Sequence, residues 1–490
     1  MHLTDPRRPR VHALRALALA VCASATLAAC GPTGIDGAGA TINGGNGGGN
    51  GSINGSSSSS GGSATSYTVG GTVIGVSGSG LVLVNNAGDD LPISGNRGFT
   101  FSNRLVSGVG YAVTVQTQPS GPAQYCSVSN GTGTMAAANV TNVTVTCRTD
   151  GRYAFVSDYN AHTVTAFTID FITGNLALVN STPSDLDPTA ITVAPSGAFV
   201  YTANAGAADI SIYAVNAATG ALTAAGTTST GVGSVPSAIT VDPSGRFVLA
   251  TDSAGGTVLV FQVNPITGAL TQVPGSPFPT ALFPGSHPVS VAVDPSDQYV
   301  FATNQYNAPL GLAGYTFNSS PGSGDLTQLS TWQVATGNNP IWVAVDPLDR
   351  FVYVSNSTDG TLSGWTIGSG AALTAMTGSP FAAGAQPGVI AIDPTGQFLY
   401  VTDTANNQVV AFTINQATGA LTVMSGSPFG AGNGAFGMAI DPSGQFLYVG
   451  NNFDGTISMF TLNPKTGALT AVPGSPRAYG GTSPSGIAIE

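Results

Sequence analysis

From Arg152 to the C-terminus the chain repeats one unit, and that repeat limits the fold more than any other feature of the sequence. Asp158, Asn204, Asp252, Asn304, Asn356, Asp403 and Asn451 recur at spacings of 46 to 52 residues. Each closes an apolar run such as YAFVSD, FVYTAN or FLYVTD. Another β-type run follows, for example TVTAFTI, TVLVFQV or TISMFTL. A turn, typically TGAL, leads to a short further strand, and a crossover, often GSPF, opens the next apolar run. Four strands in each of seven units predict an all-β chain folded as a seven-bladed β-propeller of four-stranded blades. Runs such as VAV and IAI are apolar at every position, as a strand packed on both faces requires, and are assigned to the innermost strands.

The units are offset from the ends of the repeat region. The first, from Tyr153, has its second, third and fourth strands but no inner strand before them, whereas the last is followed by a surplus GIAIE. The tail is therefore expected to supply the inner strand of blade 1, with Glu490 at the position of the recurring Asp of DPSG. Closure of this kind removes two open sheet edges.

Composition agrees with a turn-rich β protein. There are 67 Gly, 42% of residues are hydrophobic and only 7% are charged, the reverse of the disorder signature. Net charge is −11, and −14 without residues 1–29, which hold four Arg and one Asp. No basic cluster survives beyond that segment, so nucleic acid is excluded as a partner.

The N-terminal segment carries Arg7, Arg8, Arg10 and Arg15, then an apolar run from Ala16 to Ala29 that is too short to span a bilayer. It ends in LAAC, Leu27–Cys30, which resembles the lipobox of bacterial lipoproteins. That resemblance implies a signal peptide over 1–29 and lipidation at Cys30. It also implies an exported, cell-envelope protein held to the membrane by that lipid. Gly31 in place of Asp favours the outer membrane. An ordinary secretory signal cut nearby is the alternative. Residues 30–66 then form a disordered Gly/Ser/Asn-rich tether with almost no large side chain to bury and a reach of about 30–35 Å. Cys22 leaves with the signal, and Cys126 and Cys147 are expected to pair in a compartment that permits disulfides; two buried thiols are the alternative.

Residues 67–149 alternate apolar and polar residues in YTVGGTVIGV, GLVLVN, FTFSNRL, YAVTVQTQ, YCSVSN and NVTVTC. They read as a small antiparallel β-sandwich. It resembles the Ig-like modules found ahead of propellers in bacterial envelope proteins, which implies a spacer or interaction role.

The repeat over 152–490 resembles the seven-bladed YVTN-type and lactonase-type propellers of bacteria, which include 6-phosphogluconolactonase-like enzymes. The segments that carry the likeness are FVYVSN (351–356), IAIDPTGQFLYVTD (390–403) and DGTISMFTLNPKTGALTAVPGSP (454–476). The resemblance implies Arg and His after the proline that opens an inner strand. Here Thr189, Ser237, Val289, Ile341, Gly388 and Ser485 follow those prolines, and no unit has the pair. Beyond residue 29 the chain has two His, His162 and His287, and a single Lys, Lys465. Lactone hydrolysis needs a base for water and a donor for the oxyanion. A non-enzymatic binding scaffold in the envelope is therefore the first reading. A lactonase-type hydrolase with divergent active-site residues is the alternative, and a purely structural component a third.

The recurring Asp and Asn read as turn caps, and the Asp of DPSG as a turn former. No calcium or zinc spacing occurs, and no cofactor is expected. A ligand, protein or small molecule such as a carbohydrate, would meet the face built from the loops that lead into the inner strands and those after the second strands. That face includes Asp187, Val235, His287, Asn339, Gln386, Gly434 and Ser483. Blade 4 alone lengthens both of its loops, SPFPTALFPGSHP and NQYNAPLGLAG, beside His287, the one histidine assigned to this face. With Phe283 nearby, His287, Asn304, Tyr306 and Trp342 are the candidate contact residues.

Overall fold

The computed structural model describes residues 65–86, 88–119, 124–148, 153–280, 285–305, 311–329, 334–368 and 372–490. The segment expected to be a signal peptide, Cys30, nearly all of the expected tether, Phe283 and Tyr306 lie outside the described residues. Among the described residues there are only strands and turns.

Seven sheets of four strands, some with a short fifth, form the blades. Pro484–Ile489 is the inner strand of blade 1 and pairs antiparallel with Tyr153–Asp158, with Ile489 opposite Ala154 and Ile487 opposite Val156. The tail thus closes the ring. Glu490 stands at the turn position of the other blades: its N–H donates to Tyr153 O (3.1 Å), as Asp441 N–H does to Phe446 O (3.0 Å). The inner strands of blades 2 to 7 are Pro188–Val193, Pro236–Val241, His287–Val293, Pro340–Val345, Pro387–Ile392 and Ala435–Ile440.

The VAV and IAI runs do lie innermost, but they are not the strands buried on both faces. The inner strands are partly exposed, for example along Pro188–Val193. In contrast, Tyr153–Asp158, Phe199–Asn204, Phe351–Asn356 and Phe446–Asn451 are buried at every residue. An inner strand has the channel along one edge, whereas a second strand is flanked by strands of its own blade and covered by both neighbouring blades.

The repeated motifs are the contacts between and within blades. The glycine of each TG turn lies on the leading aromatic of the preceding blade's second strand. A Cβ on Gly220 (φ 73°) would come within 2.2 Å of Tyr153, and one on Gly467 (φ 69°) within 2.5 Å of Phe398. Only glycine combines that φ with that approach. Tyrosine hydroxyls then donate across the same seams: Tyr201 to Gly268 O, Tyr353 to Gly419 O, Tyr400 to Gly467 O, and Tyr448 to Gly174 O across the closure. The Ser of the GSP segment accepts a third-strand N–H, as Ser276 does from Val260 (3.0 Å) and Ser475 from Met459 (2.7 Å).

The preceding module is a β-sandwich. Gly98–Thr100, Val69–Ile74, Val140–Arg148 and Tyr125–Ser129 form one sheet, and Asp89–Ile93, Leu81–Asn85, Gly110–Thr117 and Thr132–Thr134 the other. Val69, Leu83, Phe101, Val113 and Val145 meet in the core between them. The sandwich is not wholly antiparallel as expected: Val140–Arg148 runs parallel to Val69–Ile74. The chain reaches that strand by a crossover, which does not impose the antiparallel direction of a hairpin. Cys126 and Cys147 face each other on neighbouring strands and form a disulfide, with 21 residues of separation. Loop closure of that size stabilises a fold by about 3 kcal/mol.

Candidate functional site

The inner-strand starts sit beside the ends of the second strands, with Pro188 opposite Asn204 and Pro288 opposite Asn304. The lead-in loops and the loops after the second strands therefore share one face, as expected. The recurring Asp and Asn do more there than cap their own turns. Asp158 Oδ1 accepts N–H from Asn160 and Ala161, while Oδ2 accepts Tyr479 OH (2.6 Å) and the N–H groups of Thr482 and Ser483. Asp403 likewise binds the N–H groups of Ala385 and Gln386. Each side chain clamps the lead-in loop of its blade to the turn. Burial pushes the Asp158 carboxyl up. The hydrogen bonds from Tyr479, Ala161, Thr482 and Ser483 outweigh it and hold the group below its ordinary value.

Around the channel mouth, hydroxyls join adjacent inner strands on blades 1 to 3. Ser485 donates to Pro188 O (2.7 Å), Thr189 to Pro236 O (3.0 Å) and Ser237 to Pro288 O (2.8 Å). The corresponding positions of blades 4, 5 and 7 are the apolar Val289, Ile341 and Phe436. The mouth is polar on one side and apolar on the other.

The predicted contact residues do not form a single cluster. His287 starts the inner strand of blade 4, is half-buried and pairs in register with Gln305. Asn304 is next to it but 1% exposed, and its amide is spent on Thr280, accepting from Oγ1 (2.7 Å) and donating to the carbonyl (3.2 Å). Asn304 is thus the loop clamp of blade 4. Trp342 is half-buried and packs toward the cores of blades 5 to 7, away from blade 4.

Nor is His287 the one histidine on this face. His162 lies in the turn after Asp158, and its Nδ1 accepts the Asp187 N–H (3.1 Å) from the lead-in loop of blade 2. The Asp187 carboxylate is 4.0 Å away. The sequence alone places only His287 on this face, because spacing along the chain does not show that the turn after Asp158 reaches across the seam.

The same loop carries Asp185, which faces Asp209 at the start of the third strand of blade 2. Burial and the Asp185 carboxylate push the half-buried Asp209 carboxyl up to about 6, against the lowering effect of a 2.7 Å hydrogen bond from Asn204. This carboxyl was missed in the sequence, although a signal was present. Its counterparts in other blades are Thr163, Thr257, Thr361, Gln408 and Thr456, so Asp209 is the ionisable exception. A carboxyl poised near neutrality on a loop-built face can exchange protons with a bound substrate. Among the described residues, no group of three or more His, Cys, Asp or Glu side chains is arranged to hold a metal.

Solved structures of similar fold include a protein from Bacteroides uniformis assigned as a 6-phosphogluconolactonase, at 18% identity and TM-score 0.59, covering 69% of this chain and 99% of that one. A Bacteroides fragilis protein with the same assignment matches at 21% identity and TM-score 0.59, over 69% and 97% of the two chains. The periplasmic gluconolactonase of Pseudomonas aeruginosa matches at 20% identity and TM-score 0.59, over 69% and 98%. At these identities the likeness is one of fold. Comparison with curated proteins finds no match. Residues 146–282 and 285–482 match the family described as lactonase, 7-bladed beta-propeller. With about two-thirds of its length matched, the chain belongs to that lactonase family of seven-bladed β-propellers.

Proposed function

We propose that the protein is an envelope hydrolase of uncharged lactones, with Asp209 as its general base. The observation that carries this reading is the Asp209 carboxyl, pushed up to about 6 beside Asp185 on the loop face of a lactonase-family propeller. The ionised carboxylate takes a proton from water, and the hydroxide attacks the lactone carbonyl. The ring C–O bond then breaks, and the proton passes to the leaving alkoxide. His162 Nδ1 accepts an N–H, so the neutral ring carries its proton on Nε2 and offers a donor for the oxyanion.

Substrate charge follows from the cations. Arg246 and Arg350 stand by the DPSG-type turns of the opposite face, and Arg477 lies on the outer rim. Among the described residues no Arg or Lys lines the loop face, and several aspartates do, among them Asp158, Asp185, Asp187 and Asp209. Such a face disfavours a phosphorylated lactone and tolerates a neutral one.

The test is hydrolysis of aldonolactones, with 6-phosphogluconolactone alongside, by the full chain. Expected is turnover of the uncharged lactones above the spontaneous rate, with kcat rising as pH passes about 6. Asp209→Asn should lower kcat about 100-fold or more. Absence of turnover on every uncharged lactone sinks this reading.

The missing Arg-His pair favours a second reading, a non-enzymatic binding scaffold that uses the long loops of blade 4, with His287 and Tyr306 as contacts. The anchor on Cys30 and the tether would hold either activity at the membrane.

A further inference from the structure

On the face opposite the loops, the hairpins from inner to second strand of blades 3 to 7 each carry a buried aspartate, Asp242, Asp294, Asp346, Asp393 and Asp441, where blade 2 has Ala194. Asp294 shows the pattern: Oδ1 accepts the N–H groups of Gln298 and Tyr299, and Oδ2 those of Ser296 N–H and O–H. Three residues on, the hairpin needs positive φ, and four blades use glycine there: Gly197, Gly245, Gly396 and Gly444, at φ 66–70°. Blades 4 and 5 instead carry Asp297 (φ 61°) and Asp349 (φ 59°).

A side chain at this position projects onto the hairpin of the preceding blade. A Cβ on Gly396 would lie 3.4 Å from Asp346 Oδ2 and 2.9 Å from an Arg350 guanidinium nitrogen. Asp297 accordingly faces Asp242, Ser244 and Arg246 of blade 3, with Ser319 of its own blade, and Arg246 Nη2 is 3.5 Å from its Oδ2. Asp349 faces Asp294 and Ser296 of blade 4, with Asp346 of its own hairpin. Arg350 is committed elsewhere: it binds Asp346 (2.7 Å), reaches Gln416 and stacks on Phe351. In both Asp297 and Asp349, Oδ1 is buried and finds no hydrogen-bond partner.

These two seams also lack the tyrosine latch. Leu249 and Phe301 stand where Tyr201, Tyr353, Tyr400 and Tyr448 stand, and in blade 1 Tyr153 donates to Ala217 O instead. Two exposed-side costs thus coincide at blade 4, a non-glycine residue at positive φ and a carboxyl set against a buried carboxyl.

We propose that the seams on either side of blade 4 are proton-closed: Asp297 and Asp349 take up a proton against the buried hairpin aspartates Asp242 and Asp294, so the ring tightens on acidification and loosens as they ionise. A protonated Asp349 donates its O–H to Asp294, and a protonated Asp297 removes one of the two charges beside Asp242. Burial, and then the neighbouring aspartate, push both carboxyls above their ordinary value, the direction this requires. For an acid raised in the folded state, the contribution is intact below the ordinary value and is lost as pH rises through the folded one.

The test is the apparent Tm of the full chain and of Asp297→Asn/Asp349→Asn from pH 4.5 to 8. Asn keeps the positive φ and the shape but cannot ionise. The variant should gain about 2 °C or more at pH 8 and little at pH 4.5. A parallel pH profile in the two proteins overturns the proposal. Asp297→Gly/Asp349→Gly, with the residue of the other blades, should give the same loss of pH dependence on top of a pH-independent gain. Failure of both variants to fold at pH 8 would mean that the ionised carboxylates are needed, which also overturns it.

Discussion

Asp158, fully buried, and Asp209, half-buried, show how one residue type takes opposite roles on one face. Asp158 is wrapped by donors on both oxygens, so its charge is held and serves as a clamp. Asp209 receives one amide and faces another carboxylate, so its charge is opposed and its proton is available. Because the Asp158 carboxyl lies below its ordinary value, its stabilisation is full above that value and is lost as pH falls through the folded one. Asp158→Ala leaves Tyr479 OH and the N–H groups of Thr482 and Ser483 without their acceptor, at a cost on the order of 1–3 kcal/mol for each group that stays buried. Urea unfolding should show a loss of at least about 3 kcal/mol that shrinks toward pH 3; a loss below 1 kcal/mol would refute the clamp.

At the scale of elements, the seam between blades 7 and 1 decides whether the ring exists. The tail contributes Ile487 to the blade 7–1 core, Ala488 to the blade 1–2 core, and Ser485 to hydrogen bonds with Ser157 and Pro188. Burial of an Ile side chain stabilises by about 1.5–3 kcal/mol. Deletion of residues 485–490 should expose the edge of Tyr153–Asp158, lower the apparent Tm by several degrees and promote aggregation. Light scattering and thermal melts would check this, and an unchanged, monodisperse deletion variant would contradict it. The element most visible in the sequence was this one, because a surplus strand at one end and a deficit at the other need no knowledge of side-chain contacts. The burial of the second strands was less visible, since their apolar runs resemble those of the inner strands and only neighbouring blades cover both of their faces.

For the whole molecule, opposite pH responses are built into opposite faces. The clamps of the loop face lose stabilisation in acid, and the carboxyls flanking blade 4 lose it as pH rises. Stability should therefore be greatest between the two windows. The proposed lipid anchor belongs to this scale too. Cys30→Ser should shift the protein from the membrane fraction to the soluble one or leave it as an uncleaved precursor. Membrane association with normal processing in that variant would rule the anchor out.

What the sequence determined by itself was whatever local period and turn chemistry encode: seven units, the order of strands within them, the closing tail and the pairing of the two cysteines that remain beyond residue 30. These follow from neighbours along the chain, so they survive without coordinates. The candidate site did not. Asn304 looked like a contact residue until Thr280 from the lead-in loop took up its amide. His162 had no place on the loop face from sequence alone, and only the fold brings it to Asp187 across a seam. The proton on Asp209 depends on burial and on Asp185, 24 positions earlier in the chain. Burial and charge proximity are properties of packed blades, and only the tertiary structure decides which groups they bring together.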